Sequence, residues 1–388
     1  RLTVAGNDEI GELSTAVNLM LSDLEKLQGE LREAKETAED ATKLKDHFVS
    51  LVAHDLRSPL STIMGMLRLL QSGRHQISEE KRADVIAKVI HSAHNMITVI
   101  EDLLNISLLQ TGKIQPVPAF FDGARVVESC INAMEFTADG KGVKVVNGVV
   151  PGTRLYADFT MFGEVLKNLI SNSIKFCRAG DTVTVFVPEG EPSTIAVRDT
   201  GVGINPAFYP DLFRHEVKTT SSGTGEERGT GLGLPYSRDI MLAHGGDLSA
   251  DAPKPGEGAL FRARLPLVRP VVLVVDDDER LLEDIALLMA QDKLEVIKAS
   301  SEDEAVRIIE TRKPHLVIAN SHLTGADALS LVQRLKEDNP RATVPLIVIT
   351  PENSGISGES LMPLGVRDVL AKPFKVHDLI SRVKKYVA

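Results

Sequence analysis

Apolar residues return every three or four positions through Phe48, Leu51, Val52, Leu56, Leu60, Ile63, Leu67 and Leu70. That spacing predicts a helix over Lys45–Leu70 with one broad buried stripe. Inside it stand His54 and Asp55, then Arg57, Ser58 and Pro59. The proline removes a backbone donor and predicts a distortion just after His54. A second stripe runs through Val85, Ile86, Val89, Ile90, Ala93, Met96, Ile97, Ile100, Leu103, Leu104 and Leu108. Ser78 and the acidic pair Glu79–Glu80 suit its start, and Thr111–Gly112 marks its end. Two such helices form a hairpin, and two hairpins make a four-helix bundle.

Upstream, Val17, Met20, Leu24, Leu27, Leu31, Ala34, Ala38, Ala41 and Phe48 alternate threes and fours, with Lys45 interrupting. This is a coiled-coil seam, and so long a helix needs a partner, most simply a second copy of itself. The successive alanines bury little surface and make Ala34–Ala41 the easiest part of the seam to rearrange.

Beyond residue 113 the period changes. Short apolar runs (VKVVNGVV, TVTVFVP, STIAVRD) alternate with helical stretches at Asp122–Phe136, Phe159–Phe176 and Leu234–His244, predicting an α/β sandwich with a mixed sheet over 113–267. Residues 270–388 then alternate strand and helix five times. The strands are VVLVVDD, LEVIKA, HLVIAN, PLIVIT and RDVLA; the helices start near Glu279, Glu302, Gly325, Gly358 and Val376. This predicts a doubly wound α/β domain with ligand sites at the strands' carboxyl ends.

Composition adds limits. A chain of 388 residues, 43% hydrophobic and 25% charged, is folded multidomain material. The net charge of −10, with no long basic patch, argues against direct nucleic-acid binding. Cys130 and Cys177 have neither disulfide-framework nor metal-ligand spacing, which fits a reducing compartment. No run reaches the length of a membrane span. The chain opens on Arg1 rather than Met, and the expectation is the cytoplasmic portion of a bacterial inner-membrane protein, anchored by segments upstream.

Four pieces of the sandwich carry polar chemistry. Asn168, Asn172 and Lys175 lie at i, i+4 and i+7 on one helix face. Two amides and an ammonium suit a magnesium triphosphate, because an amide oxygen can ligate the hard cation and the lysine can meet phosphate charge. Asp199 leaves a strand into the glycine turn of Gly201 and Gly203, where its carboxylate can accept the amino group of adenine. Gly229, Gly231 and Gly233 form a loop feeding a helix amino terminus, a geometry that offers backbone donors to phosphate. Leu212-Phe213-Arg214 precedes a polar stretch from Lys218 to Gly229 that reads as a mobile lid. Each glycine motif alone is equally well a structural turn, and His54 alone is equally well a histidine packed in a bundle. No G-x-x-x-x-G-K-[ST] occurs, which removes a P-loop.

Taken in order, these pieces resemble the histidine kinases of two-component signalling over residues 45–266. The H box falls at His54, the N box at Asn168–Phe176, the G1 box at Asp199–Gly203, the F box at Phe213 and the G2 box at Gly229–Gly233. The resemblance implies a dimerisation and phosphoacceptor hairpin (45–112) followed by a Bergerat-type ATP-binding domain (113–267), with ATP and Mg2+ as cofactors. By it His54 takes the γ-phosphoryl group, Asp55 orients or deprotonates its imidazole, Asn172 ligates Mg2+, Asn168 and Lys175 contact phosphates, and Asp199 reads adenine. Gly6–Met20 resembles the end of a HAMP signal-relay domain (1–20), leading into a signalling coiled coil (21–44). The implied partners are a second copy of the chain and a response regulator or phosphotransfer protein. Asp55-Leu-Arg-Ser58 resembles the family's phosphatase pattern, which keeps a mainly phosphatase role open; an ATP-binding scaffold acting by protein contact is the other alternative.

Residues 270–388 resemble the receiver family. Asp276 and Asp277 match its acidic magnesium pair, Thr350 the switch hydroxyl and Lys372-Pro373 the signature after the last strand. The phosphoacceptor position is instead Asn320, and a neutral amide is no nucleophile toward phosphohistidine. Thr324, Ala328, Pro351 and Val369 also depart from the family's pattern. These departures imply a pseudo-receiver that regulates rather than relays, with a protein or small-molecule ligand.

Overall fold

The computed structural model describes residues 20–22, 26, 28–29, 31–32, 35, 56–57, 59–71, 78–215, 217, 219, 223–225, 231–252, 256–323, 326–327, 344–351, 361–362 and 366–387. His54, Asp55, Ser58, Gly229, most of the expected lid and the HAMP-like stretch lie outside them. So do the expected helix near Gly358 and most of the coiled coil. The chain divides into two compact units, one running from the amino terminus to Leu104 and the other taking most of the chain from Asn105 onward.

The first unit holds helix α1, over 59–71, and most of α2 (Glu79–Gln110), whose last six residues belong to the second unit. The described residues between 20 and 35 are helical as well, with Met20 and Leu31 exposed. Helix α2 starts where Ser78 and the acidic pair predict; the Lys81 amide donates to Ser78 Oγ at 3.4 Å. Gly112, in the left-handed region at φ 67°, follows its end.

The second unit opens with a two-stranded antiparallel ribbon, β1 (Ala119–Asp122) against β3 (Arg154–Ala157), which sequence reasoning did not anticipate. The main sheet has the order β2-β4-β5-β7-β6, with β2 (Lys144–Asn147), β4 (Thr182–Phe186), β5 (Thr194–Asp199), β6 (Asp247–Ala250) and β7 (Leu260–Arg264). β2 and β4 run parallel and the other neighbours antiparallel, so the sheet is mixed. Helices α3 (Gly123–Lys141), α4 (Phe159–Phe176) and α5 (Gly233–Ala243) complete this domain. Its core includes Phe162, Leu166, Leu169 and Ile170 of α4 with Val183, Val185, Ile195 and Val197 of the sheet.

α3 runs five residues beyond its expected end at Phe136. Asp139 and Gly140 stay helical, and the helix stops at Gly142 (φ 68°), whose N–H meets the carbonyls of Ala138 and Asp139. α4 begins where Asp158 caps it, Oδ1 accepting from the Thr160 and Met161 amides. The same carboxylate accepts the Val117 amide on Oδ2 at 3.1 Å, and the Asp158 N–H donates to His244 Nε2 at 2.9 Å.

The carboxy-terminal domain holds a parallel sheet in the order β14-β13-β10-β8-β9. Its strands are β8 (Val271–Val275), β9 (Glu295–Ala299), β10 (Leu316–Asn320), β13 (Leu346–Pro351) and β14 (Val366–Lys372). Alternate residues of β8 and β10 divide between two cores. Leu273, Val275, Val317 and Ala319 pack with α7 (Glu302–Arg312); Val272, Val274, Leu316 and Ile318 pack with α6 (Glu279–Gln291) and α8 (Val376–Val387). β11 (His322–Leu323) pairs antiparallel with β12 (Ala326–Asp327), and residues 328–343, over which the helix expected from near Gly325 would run, lie outside the described residues.

Candidate functional site

α4 and the end of β5 build the first site. Asp199 ends β5 and is buried; its Oδ1 accepts the amides of Gly201 and Ala259, each at 3.0 Å. Burial raises its carboxyl above the ordinary carboxylate range, the two backbone donors oppose that, and nearby Asp181 adds to it. Ser173, one turn from Phe176 on α4, turns its buried hydroxyl towards this carboxyl and favours the charged form, but the contact is too loose to count as a formed hydrogen bond. A buried carboxylate with no cation beside it among the described residues, next to a serine hydroxyl, fits an incoming donor–acceptor edge such as that of adenine.

Three glycines make the approach tight. A Cβ at Gly201 would stand 2.5 Å from the Phe176 carbonyl oxygen, and one at Gly203 (φ 73°) 2.7 Å from that of Glu257. A Cβ at Gly258 would fall 1.9 Å from the Asp199 carbonyl oxygen. Sequence reasoning missed Gly258 and Ser173. Gly258 sits in a Gly-Glu-Gly stretch that reads as a plain loop, and Ser173 is a small polar residue inside an apolar helix.

On α4, Asn172 Nδ2 donates to Asn168 Oδ1 at 3.1 Å, and Asn168 Nδ2 donates to Ser237 Oγ on α5 at 2.8 Å. Asn168 is therefore a tie between two helices, and Gly233 is required beside it, since a Cβ there would fall 2.5 Å from Asn168 Oδ1. Asn172, with its amide donor spent on Asn168, retains its oxygen for a cation. Lys175 sits on the same helix with Nζ 4.8 Å from the centre of the Phe176 ring. Gly231 takes φ 81° two residues before Gly233 opens α5, so the expected loop into a helix amino terminus is present where it is described. Phe213 packs on the domain core under Arg238, whose guanidinium carbon lies 5.5 Å from the ring centre. No cluster of three His, Cys, Asp or Glu side chains suited to a metal occurs among the described residues.

The second site lies at the strand ends of the parallel domain. Asp276 follows β8, Asn320 ends β10, Thr350 lies near the end of β13 and Lys372 ends β14. β8 and β10 flank the switch point of the 2-1-3-4-5 strand order, where such domains bind ligands. Asp276, Asn320 and Thr350 are buried, and Asp277 is exposed. Asp276 Oδ1 accepts the Asp278 amide at 3.0 Å, and its Oδ2 pairs with Lys372 Nζ at 3.1 Å. The cation that Asp276 meets is Lys372, and the residues present do not fit a divalent metal as well as the acidic pair alone suggests.

A sandwich with a glycine-cradled buried aspartate, joined to a doubly wound parallel domain, defines a nucleotide-binding module followed by a receiver-like one. Three family models match in the same order. They are the His Kinase A (phospho-acceptor) domain over residues 44–112, the histidine kinase-, DNA gyrase B- and HSP90-like ATPase over 157–269, and the response regulator receiver domain over 272–384. The chain is similar to the virulence sensor protein BvgS of Bordetella bronchiseptica, at 28% identity over all of this chain and 34% of that protein. It is similar to the sensor protein TorS of Escherichia coli at 26% identity, over 85% of this chain and 38% of that one. The aerobic respiration control sensor protein ArcB of Escherichia coli is 27% identical over 92% and 48% respectively. The chain thus spans about a third to a half of the length of these relatives. By domain content it belongs to the hybrid sensor histidine kinases, whose ATPase family uses ATP and Mg2+. No helix among the described residues is long and apolar enough to cross a membrane.

Proposed function

We propose that this chain transfers the γ-phosphoryl group of ATP to its own His54 and that its carboxy-terminal domain regulates this transfer without accepting phosphate. The observation that carries the reading is the buried Asp199 at the end of β5, with no cation beside it among the described residues, next to α4 with its amide at Asn172. Asp199 would fix adenine, and Asn172 would hold Mg2+, which supplies charge neutralisation at the phosphates. Transfer breaks the bond between the γ-phosphorus and the oxygen bridging to the β-phosphate, and ADP leaves. A phosphorus–nitrogen bond forms at one ring nitrogen of His54, and the proton on the other is released towards Asp55 or solvent.

A homodimer belongs to the same proposal. Ile86, Ile90, Ile97, Ile100 and Leu104 leave an exposed heptad-like stripe along α2, and Leu60, Met64 and Leu67 do so along α1. Two hairpins joined on these stripes make a four-helix bundle. The same proposal gives the protein a sensing role, in keeping with relatives named as sensor proteins. The phosphoryl group then passes to a separate response regulator or phosphotransfer protein, because Asn320 offers no carboxylate.

Incubation with γ-labelled ATP tests the reading. Acid-labile, base-stable label on the wild-type chain, absent from His54→Gln at unchanged ATP affinity, supports it. Label that persists in His54→Gln refutes the acceptor assignment.

A further inference from the structure

The β1–β3 ribbon has two faces with different partners. Phe121 and Leu155 turn to the ATP-domain core, and Phe121 meets Phe159 and Phe162 there. Phe120 and Tyr156, directly opposite each other in the register, turn the other way and stack at 4.7 Å. Both rings meet His315 of the receiver-like domain, each at 5.0 Å between centroids, and Phe120 packs on the receiver core formed with α6 and α8.

The joint is built on both sides. His315 Nδ1 accepts the Val271 amide at 3.0 Å, while the His315 amide donates to the Val271 carbonyl at 2.8 Å. The ring is thereby held in one orientation as the tautomer with Nδ1 unprotonated. On the same ribbon, burial lowers the Arg154 guanidinium from its ordinary value, and the charge of Asp292, which itself pairs with Lys384 of α8 at 2.7 Å, opposes that. Burial pushes the Tyr156 phenol up and the His315 imidazole down, both towards the neutral form, as expected of a dry contact. Phe120 lies only eight residues past Gly112, which follows the end of α2, so the receiver grips the first strand after the linker that joins the helices to the ATP domain.

We propose that the outer face of the β1–β3 ribbon is a docking surface for the chain's own receiver-like domain, and that the docked domain acts as a brake on phosphoryl transfer to His54. The proposal rests on the kinase reading above. A domain fastened to the first strand beyond the linker travels with the ATP domain and restricts the swing that brings nucleotide to histidine. Releasing it frees that swing. A ligand that binds the undocked receiver better activates the kinase by the same margin.

The test uses the whole chain, as wild type, as Phe120→Ser/Tyr156→Ser and as His315→Asn. The last keeps an acceptor for the Val271 amide while removing the ring, and the two variants attack opposite sides of the joint. Small-angle scattering reads docking, and the initial rate of His54 labelling reads the brake, with ATP affinity as the control for an intact ATP domain. Both variants are expected to show a larger maximum dimension and labelling on the order of five-fold faster or more, at unchanged ATP affinity. Unchanged dimensions in both variants overturn the dock. Larger dimensions with equal or slower labelling overturn the brake. Absence of label from wild type and variants alike overturns the kinase reading and the brake with it, while the scattering separately judges the dock.

Discussion

Two strand ends in this molecule carry a buried aspartate, and they are finished differently. Asp199 and Asp276 each accept backbone amides, but Asp276 gives its second oxygen to Lys372, whereas Asp199 has no cation beside it among the described residues and a carboxyl raised by burial. The charge of Asp276 is matched by Lys372. The charge of Asp199 is met only by backbone amides and a loosely held Ser173 hydroxyl, which leaves it open to an entering donor. Polar satisfaction therefore separates the nucleotide site from the degenerate receiver site.

The strongest way to break this comparison is Asp199→Asn. The variant keeps an oxygen for the Gly201 and Ala259 amides but offers adenine a donor in place of the second carboxylate oxygen. Nucleotide affinity, measured by calorimetry, is expected to fall roughly ten- to hundred-fold, while thermal stability without nucleotide does not fall, since a buried charge is removed. Next comes Lys372→Met, which strands Asp276. Lys372 is a third exposed, so the cost is about 1–2 kcal/mol rather than that of a fully buried pair. Asp276→Asn added to it is expected to restore most of the loss in chemical denaturation.

Acidity sharpens the contrast. Because Asp199 titrates above the usual range, its protonated form stabilises the nucleotide-free fold, and that contribution is present below the unfolded-state pKa and lost as pH rises through the folded one. Nucleotide binding needs the carboxylate, so affinity is expected to weaken on acidification at a higher pH than ordinary carboxylates titrate; a binding series against pH reads it. The smallest effect is expected from Asn320→Asp. It restores a carboxylate at the end of β10, yet Lys372 still occupies Asp276. Little label is expected beyond residue 270, as peptide mapping would show.

Much of this was legible in the chain. α4 was read at its observed limits from its apolar face, and β8, β10 and β13 were read because each is a nearly continuous apolar run. Asn172 and Asp199 were placed because their chemistry lies on one helix and one strand end. The ribbon was not legible. AFFD and RLYA are four residues each, pair across more than thirty residues, and announce themselves by no period. Gly258 was missed for a related reason. Its necessity comes from the backbone of Asp199, 59 positions earlier, and no local pattern carries that contact. His315 looked like the start of a buried strand; only the rings opposite give it a second role.

Asp158 has a mechanical consequence. It fastens the incoming chain at Val117, the first turn of α4 and His244 at the end of α5 to one residue. A pull on the linker is carried straight into the helix that bears Asn168 and Asn172, with no slack segment in series. The Val117 side chain is 70% exposed, yet its amide is tethered, so slow exchange at that amide serves as a tension gauge. Exchange at that amide is expected to be slow while the bond to Asp158 holds and to quicken when the bond parts, as hydrogen exchange would read.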